Sequence, residues 1–423
     1  MAQLDYVEGF VRGVHRSMTS GVSAKLTGPW FSRKDQGSLF LDEGDATAYA
    51  RVVARLVEEQ GKKEDVSRRT LETHLQDVLF SALDLKADSK DDAEFEKRLV
   101  VAMAQFRGRL KQPPTDYTCY IPVFGLDVEG LPSNMGGVRL VRMTAPRMRQ
   151  LAFPGDVELP DESAGNRQRL LGTLKEDLLL GRPMAMVKVR ARDADAAQYL
   201  ANRKTRETVD VLNFFADLIP NSPGWLYLAG EAAKEAITST LVRPDGFLAL
   251  HSSLEGPFAP MSMKRLRSTP SLRPGLQRVK QLLSEDPRSY MAELLVTSAR
   301  WAGRASTEPV REQAFLDYAI ALETLMLPDQ ETEGLTYRLK LRTAHFLAQS
   351  LEDRERLSKA IGSLYRTRSR IVHSGSLEVA DRDLRHLRFL TKNCIIRALL
   401  HRRIRHLDNR DAYVSWLNRA VLR

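Results

Sequence analysis

The first quarter of the chain has the hydrophobic pattern of amphipathic helices. Apolar residues recur at three- and four-residue spacings, after polar or acidic starts, over residues 45–60, 66–85 and 91–110. Pro113 and Pro114 follow directly, and proline lacks the backbone N–H that a continuing helix needs. The pattern therefore predicts an N-terminal helical region over residues 1–112.

The period then changes to that of β-strands. Short apolar or alternating segments bounded by turn residues predict strands at 117–124, 138–143, 184–190, 225–228 and 247–250. Residues 130–137 contain glycines and a proline and predict a turn, whereas the helical period over 194–218 predicts a long helix. We expect an α+β domain over residues 113–275, with a linker in or just after the Pro-, Ser-, Arg- and Met-rich residues 257–274.

The sequence beyond this linker has helical periodicity only. It predicts an all-α helical bundle over residues 285–423, so the fold class is an α+β N-terminal region followed by a helical C-terminal domain. Arg342 occupies an apolar register in this bundle, and a buried guanidinium needs a partner. Glu323, at the margin of the preceding helix stripe, is the predicted partner in a structural ion pair.

Composition narrows the classes of function. The net charge is +10 over 423 residues, which favours a polyanionic partner such as RNA. Cys119 and Cys394 lie far apart in the sequence, so their spacing indicates neither a disulfide framework nor a metal site. The sequence also contains no glycine-rich phosphate-binding loop. We expect no metal, no cofactor and no membrane span, and a cytoplasmic protein.

Candidate chemistry lies in residues 364–375, where four residues separate Arg368 from His373. Arginine can neutralise a phosphate, and histidine can transfer protons near neutral pH. Tyr365, one turn before Arg368, can stack on a base or pack in a seam. Further arginines nearby are candidate RNA contacts, namely Arg366, Arg370, Arg382, Arg385 and Arg388.

The spacing of the two central residues raises a geometric problem. Five positions at 100° each place Arg368 and His373 about 140° apart around a straight helix, so they do not converge on one phosphate. Either the helix breaks between them, as Ile371, Val372 and Gly375 would allow, or the site combines residues of two chains. The pairs Arg69–His74 and Arg338–His345 have similar spacings, so spacing alone does not identify a site.

The segment around Arg368 resembles the signature of the HEPN superfamily, in which arginine is followed after four to six residues by histidine near the end of a helical bundle. The Apea-like HEPN group is the nearest likeness. Residues 315–325 and 339–347 precede the motif in the expected order, and a long final helix follows it. Ser369 departs from the pattern, since many catalytic members have Asn, Asp or His after the arginine.

The resemblance implies a metal-independent endoribonuclease that acts as a homodimer or higher homo-oligomer, with Arg368 and His373 as catalytic residues. Ser369, Glu323, Arg342 and Tyr365 would support them. The products would carry 2′,3′-cyclic phosphates, and the N-terminal region would control activity in a bacterial defence or toxin-like role, in response to a phage-derived or other trigger. The alternative is a non-catalytic RNA-binding or assembly module with a HEPN-like dimer interface.

Overall fold

The protein is represented by a computed structural model. It describes residues 4–19, 30–33, 37–60, 65–83, 92–127, 133–152, 180–219, 226–228, 235–242, 248–255, 261–328, 334–374, 379–407 and 409–422. The chain forms two compact units, the first made of residues 1–117 and 189–200 and the second of residues 118–188 and 201–423.

The first unit is mainly helical. It contains α1 (Asp5–Thr19), the antiparallel pair β1 (Trp30–Arg33) and β2 (Gly37–Phe40), α2 (Glu43–Gln60), α3 (Arg68–Leu83) and α4 (Asp92–Leu110). The predicted helices α2, α3 and α4 are confirmed with ends shifted by two residues or fewer, because their apolar stripes face one core. Fully buried Val53, Leu71 and Leu79 lie in that core. The sequence pattern did not predict α1 or the strand pair.

Most of the main sheet lies in the second unit. The strands of this sheet are β3 (Thr115–Phe124), β5 (Ser133–Met135), β6 (Val138–Arg142), β7 (Pro183–Ala191), β9 (Glu235–Val242) and β10 (Leu248–Glu255), in the order β10-β9-β3-β7-β6-β5, with β8 (Tyr227–Leu228) beside β3. The first residues of β3 and the last residues of β7 belong to the first unit. The registers of β5–β6, β6–β7, β3–β9 and β9–β10 are antiparallel. The short strands β4 (Leu126–Asp127) and β11 (Met261–Ser262) pair in parallel. Helix α5 (Ala145–Ala152) follows β6 along the chain, and helix α6 (Ala194–Ala216) follows β7.

All five predicted strands and the long helix are present, so the α+β expectation is confirmed for this part. The turn predicted over residues 130–137 is shorter than expected. Ser133–Met135 form β5, and the chain reverses at Gly136 and Gly137, whose φ angles of 57° and 81° favour glycine. Strand β9 was not predicted.

The rest of the second unit is helical, as predicted. Its elements are α7 (Met263–Ser268), α8 (Arg273–Ser284), α9 (Tyr290–Thr307), α10 (Arg311–Met326), α11 (Leu335–Leu347), α12 (Leu351–Ser374), α13 (Asp381–Leu400), a short 3₁₀ turn (Ile404–His406) and α14 (Arg410–Val421). The core of these helices includes the fully buried rings of Phe315, Tyr318 and Tyr413. Cys119 in β3 and Cys394 in α13 are both buried.

The predicted linker is wrong in its described part. Residues 263–268 and 273–284 form α7 and α8, and Leu266 and Val279 are fully buried. One serine and one proline of this stretch are helix-start residues: Ser262 Oγ accepts a hydrogen bond from the Arg265 N–H at 3.3 Å, and Pro274 lies in the first turn of α8. The two compact units therefore do not follow the predicted division into residues 1–112, 113–275 and 285–423.

A buried carboxylate joins the end of α6 to two helices of the bundle. Asp217, whose side chain is 1 % exposed, forms ion pairs with Arg388 and with Lys392, the latter at 3.0 Å. The hydroxyl of Tyr318 donates to the same carboxylate at 3.1 Å. Asp217 thus fixes α10 and α13 against the residue that follows α6.

Helices α6 and α9 also cross very closely. A Cβ atom added at Gly303 would lie 1.7 Å from the carbonyl oxygen of Asp210 and 3.0 Å from the backbone nitrogen of Phe214. The absence of a side chain at Gly303 is therefore what allows the two backbones to touch.

Candidate functional site: an arginine-rich helix with an exposed histidine

Helix α12 contains both central residues of the motif and is continuous across them. It runs from Leu351 to Ser374 without interruption, so the first of the two alternatives, a helix break between Arg368 and His373, does not occur. Ser350 starts the helix: its Oγ accepts from the Asp353 N–H at 3.1 Å and donates to the Asp353 carboxylate at 2.8 Å. Buried Ile361 and Leu364 then hold the apolar side of the helix against the bundle.

Arg368 lies on the inward-facing edge of α12. Its Nε is 3.2 Å from Oε1 of Glu323 on α10, and the two side chains are 26 % and 21 % exposed. The guanidinium also lies over the ring of Tyr365, with 5.8 Å between its carbon and the ring centroid. Arg368 is therefore already balanced by one carboxylate within a single chain.

The predicted ion pair between Glu323 and Arg342 is wrong. Buried Arg342 donates from Nε and Nη2 to the side-chain oxygen of Asn418, at 3.2 and 2.9 Å, and from Nη1 to the carbonyl of Met326 at 2.9 Å. Met326 ends α10, where the last carbonyls lack partners within the helix. Arg342 thus links α10, α11 and α14, and its role is structural.

Glu323 experiences two opposing influences. Burial raises the pKa of its carboxyl group, and the neighbouring Arg368 guanidinium lowers that pKa by a smaller amount, so the pKa stays above its ordinary value. Burial likewise raises the pKa of Tyr365. Both residues border an apolar crevice that is lined by Phe315, Ala319, Leu322, Leu339, Ile361, Leu364 and Leu387.

His373 lies on a different face of the helix from Arg368. It is exposed near the C-terminal end of α12, while Ser369 is half-buried. Since the helix is straight through this region, the angular separation of about 140° between Arg368 and His373 applies in the structure. One chain does not bring these two side chains to the same phosphate.

The arginines assigned to RNA contact fall into two groups. Arg366, Arg370, Arg382 and Arg385 are exposed, although Arg382 lies 3.6 Å from Asp383. Arg388 is the exception, because it is bound to the buried carboxylate of Asp217, and its assignment to RNA contact is corrected to a structural ion pair. This pair could not be predicted from the sequence, since its members lie 171 positions apart along the chain.

The two other arginine–histidine pairs are in different surroundings. Arg69 lies 3.9 Å from Asp195, and burial lowers the pKa of the half-buried His74. Burial also lowers the pKa of His345. Among the spaced pairs, only the 368–373 pair combines an exposed imidazole with a surrounding run of arginines.

No family model, curated protein or solved structure matches the chain. The resemblance to HEPN domains therefore rests on the motif residues and on their order along the chain. None of the helices in the described ranges is long and apolar enough to cross a membrane. Within the same ranges, no group of three or more His, Cys, Asp or Glu side chains is placed to hold a metal ion.

Proposed function

We propose that the protein is a metal-independent endoribonuclease whose active unit contains two copies of the chain. The observation that carries this proposal is the exposed His373 on a continuous, strongly basic helix. From Arg356 to Ser374 the sequence of α12 contains five arginine or lysine residues and no aspartate or glutamate. Such a surface attracts the RNA backbone and places an imidazole beside it.

Proton transfer is assigned to His373. The imidazole takes the proton from an RNA 2′-hydroxyl, whose oxygen attacks the adjacent phosphorus, and returns a proton to the departing 5′-oxygen. The products are a 2′,3′-cyclic phosphate and a 5′-hydroxyl. Arginine guanidinium groups stabilise the negative charge that accumulates on the phosphoryl oxygens.

Two copies are required if Arg368 takes part in this step. Arg368 and His373 point to different sides of α12, so a single helix does not present both to one phosphate. A twofold arrangement of two α12 helices would bring Arg368 of one copy towards His373 of the other. The resemblance to dimeric HEPN domains supports the same arrangement.

A second candidate function, a non-catalytic RNA-binding or assembly module, is favoured by the Glu323–Arg368 ion pair. A guanidinium that is already balanced by a carboxylate attracts a phosphate less strongly.

Under either function, the first unit is proposed to regulate the second, in a bacterial defence or toxin-like role that responds to a phage-derived or other trigger. This biological role is drawn from the family resemblance alone.

Incubation of the purified full-length chain with total RNA in EDTA tests the nuclease proposal. We expect cleavage that leaves 2′,3′-cyclic phosphates, and a His373→Ala rate lower by about a hundred- to ten-thousand-fold. His406→Ala is the matched control, because it removes another exposed imidazole from the same unit. Absence of cleavage in all RNA tested, including RNA from phage-infected cells, would favour the binding module instead.

Mixed dimers test the two-copy site. If Arg368 and His373 act across the interface, a dimer of one Arg368→Ala chain and one His373→Ala chain retains one intact site and about half of the wild-type activity. Such dimers can be purified through two different affinity tags. An inactive mixed dimer, or a protein that cleaves RNA as a monomer, would contradict the two-copy site.

A further inference from the structure

The exposed face of α12 carries a row of cations that is aligned with His373. Lys359, Arg366, Arg370 and His373 are all exposed, and we call this row the basic ridge. The last three are spaced by four and then three residues, which places them within about 60° of one another around the helix. Along the helix axis, about 6 Å separate Arg366 from Arg370, and about 4.5 Å separate Arg370 from His373.

Arg370 is therefore the arginine nearest to His373 on the same face. Its Nη2 donates to Oγ1 of the buried Thr367 at 3.3 Å, a contact that attaches the guanidinium to the side of its own helix. Arg368, by comparison, lies about 140° from His373 and is paired with Glu323. Within one chain, a phosphate that reaches the His373 imidazole meets Arg370 first.

The positive charge of this face also favours a ligand with several negative charges. No acidic residue occurs in α12 after Glu355, so no carboxylate of this helix competes with an anion on the ridge. Cations at intervals of one or two turns suit a chain of phosphates, which contributes a negative charge at every nucleotide. A single small anion would be bound by one of these residues and would not use the others.

We propose that Arg370, with Arg366 behind it, holds the RNA phosphate on which His373 of the same chain acts. This inference rests on the proposed nuclease function and adds a catalytic residue to it. Arg370 works within the chain that supplies the histidine, whereas Arg368 comes from the second copy. The RNA backbone then runs along α12 towards its C-terminal end.

Single substitutions provide the first test. Arg370→Ala is expected to lower the cleavage rate by on the order of a hundred- to a thousandfold, since it removes a charge-stabilising donor. Its melting curve is recorded in the same experiment, because Arg370 also contacts Thr367. The cleavage rate of Arg370→Lys should lie between those of the wild type and Arg370→Ala, because lysine keeps the charge but loses the forked geometry of the guanidinium. Arg402→Ala, which removes an exposed arginine outside the ridge, is the matched control. An Arg370→Ala rate equal to that of the control overturns the proposal.

Mixed dimers provide the second test. A dimer of Arg370→Ala and His373→Ala chains is expected to be inactive, because each chain then lacks one member of a pair that must be on the same helix. The Arg368→Ala and His373→Ala dimer should retain about half of the activity, as above. Half of the wild-type activity in the Arg370→Ala and His373→Ala dimer would show that Arg370 acts across the interface and would overturn the same-chain assignment.

RNA binding separates failure of this inference from failure of the nuclease proposal. For single strands, loss of one phosphate contact should reduce the salt dependence of the association constant by about 0.7 in log–log slope. Arg366→Ala and Arg370→Ala should each show this reduction even if wild-type protein cleaves no RNA. Unchanged slopes in both variants would overturn the ridge as the RNA path, whatever the outcome of the cleavage assay.

Discussion

Replacement of Asp217 by alanine should be among the most destabilising single changes in the second unit. The variant leaves Lys392, which is 14 % exposed, and Arg388, which is 40 % exposed, without their shared carboxylate. Stranding a buried charge costs about 3 to 5 kcal/mol, and we expect the lower value because Arg388 can turn towards solvent. The hydroxyl of Tyr318 also loses its acceptor.

The loss can be measured by urea denaturation of the full-length protein, followed by far-UV circular dichroism. Glu293→Ala is the control: Glu293 lies 3.4 Å from Arg288 but is 59 % exposed, so its removal should cost less than about 1 kcal/mol. Adding Lys392→Met to Asp217→Ala should restore part of the lost stability, because the stranded ammonium is then gone. If Asp217→Ala and Glu293→Ala unfold at the same urea concentration, the buried network does not hold α10 and α13 in the way described.

Three further changes test other contacts. Glu323→Gln should stay within about 1 kcal/mol of wild type at neutral pH, since Arg368 is partly exposed. The pKa of Glu323 is higher in the folded protein than in the unfolded chain, so the folded protein keeps this proton to higher pH. The stability of the wild type should therefore fall as pH rises from the ordinary glutamate pKa through the raised one. If the stability of Glu323→Gln falls by the same amount over this range, the argument is wrong. Gly303→Ala should cost about 3 kcal/mol or more through overpacking, whereas Gly108→Ala, with open space around it, should be neutral or stabilising in the same melting assay. Arg388→Ala should lower stability and leave RNA affinity near wild type, and Arg385→Ala should do the reverse; a filter-binding assay that ranks them the other way would refute the division of the arginines.

Local pattern predicted the elements of this fold better than it predicted the pairs of charged residues. Helices α2, α3, α4 and α6 follow from their apolar periods, because each buries one stripe. Strand β9 lacked such a signal, and the helix-start residues Ser262 and Pro274 resembled a linker in composition. Periodicity reports which residues of one element turn inward, and it contains no information on the element that they meet.

The charged residues of the candidate site illustrate this limit. The apolar register of Arg342 correctly indicated that it is buried, yet its side-chain acceptor, Asn418, lies 76 residues further along the chain. Glu323 was expected to pair with Arg342 and pairs with Arg368 instead. The angular separation of Arg368 and His373 was calculated from sequence alone, but the continuity of α12, which rules out a helix break between them, required the structure.

The contacts that α14 makes with α10 and α11 have a consequence for folding during synthesis. Asn418 gives Arg342 its side-chain acceptor, and the hydroxyl of Tyr413 donates to the carbonyl of Leu325 at 3.1 Å. Both contacts secure the C-terminal end of α10, the helix that holds Glu323, and both are missing from a nascent chain until α14 has left the ribosome. The contacts that secure the C-terminal end of α10 therefore form only after residues 364–375 have been translated.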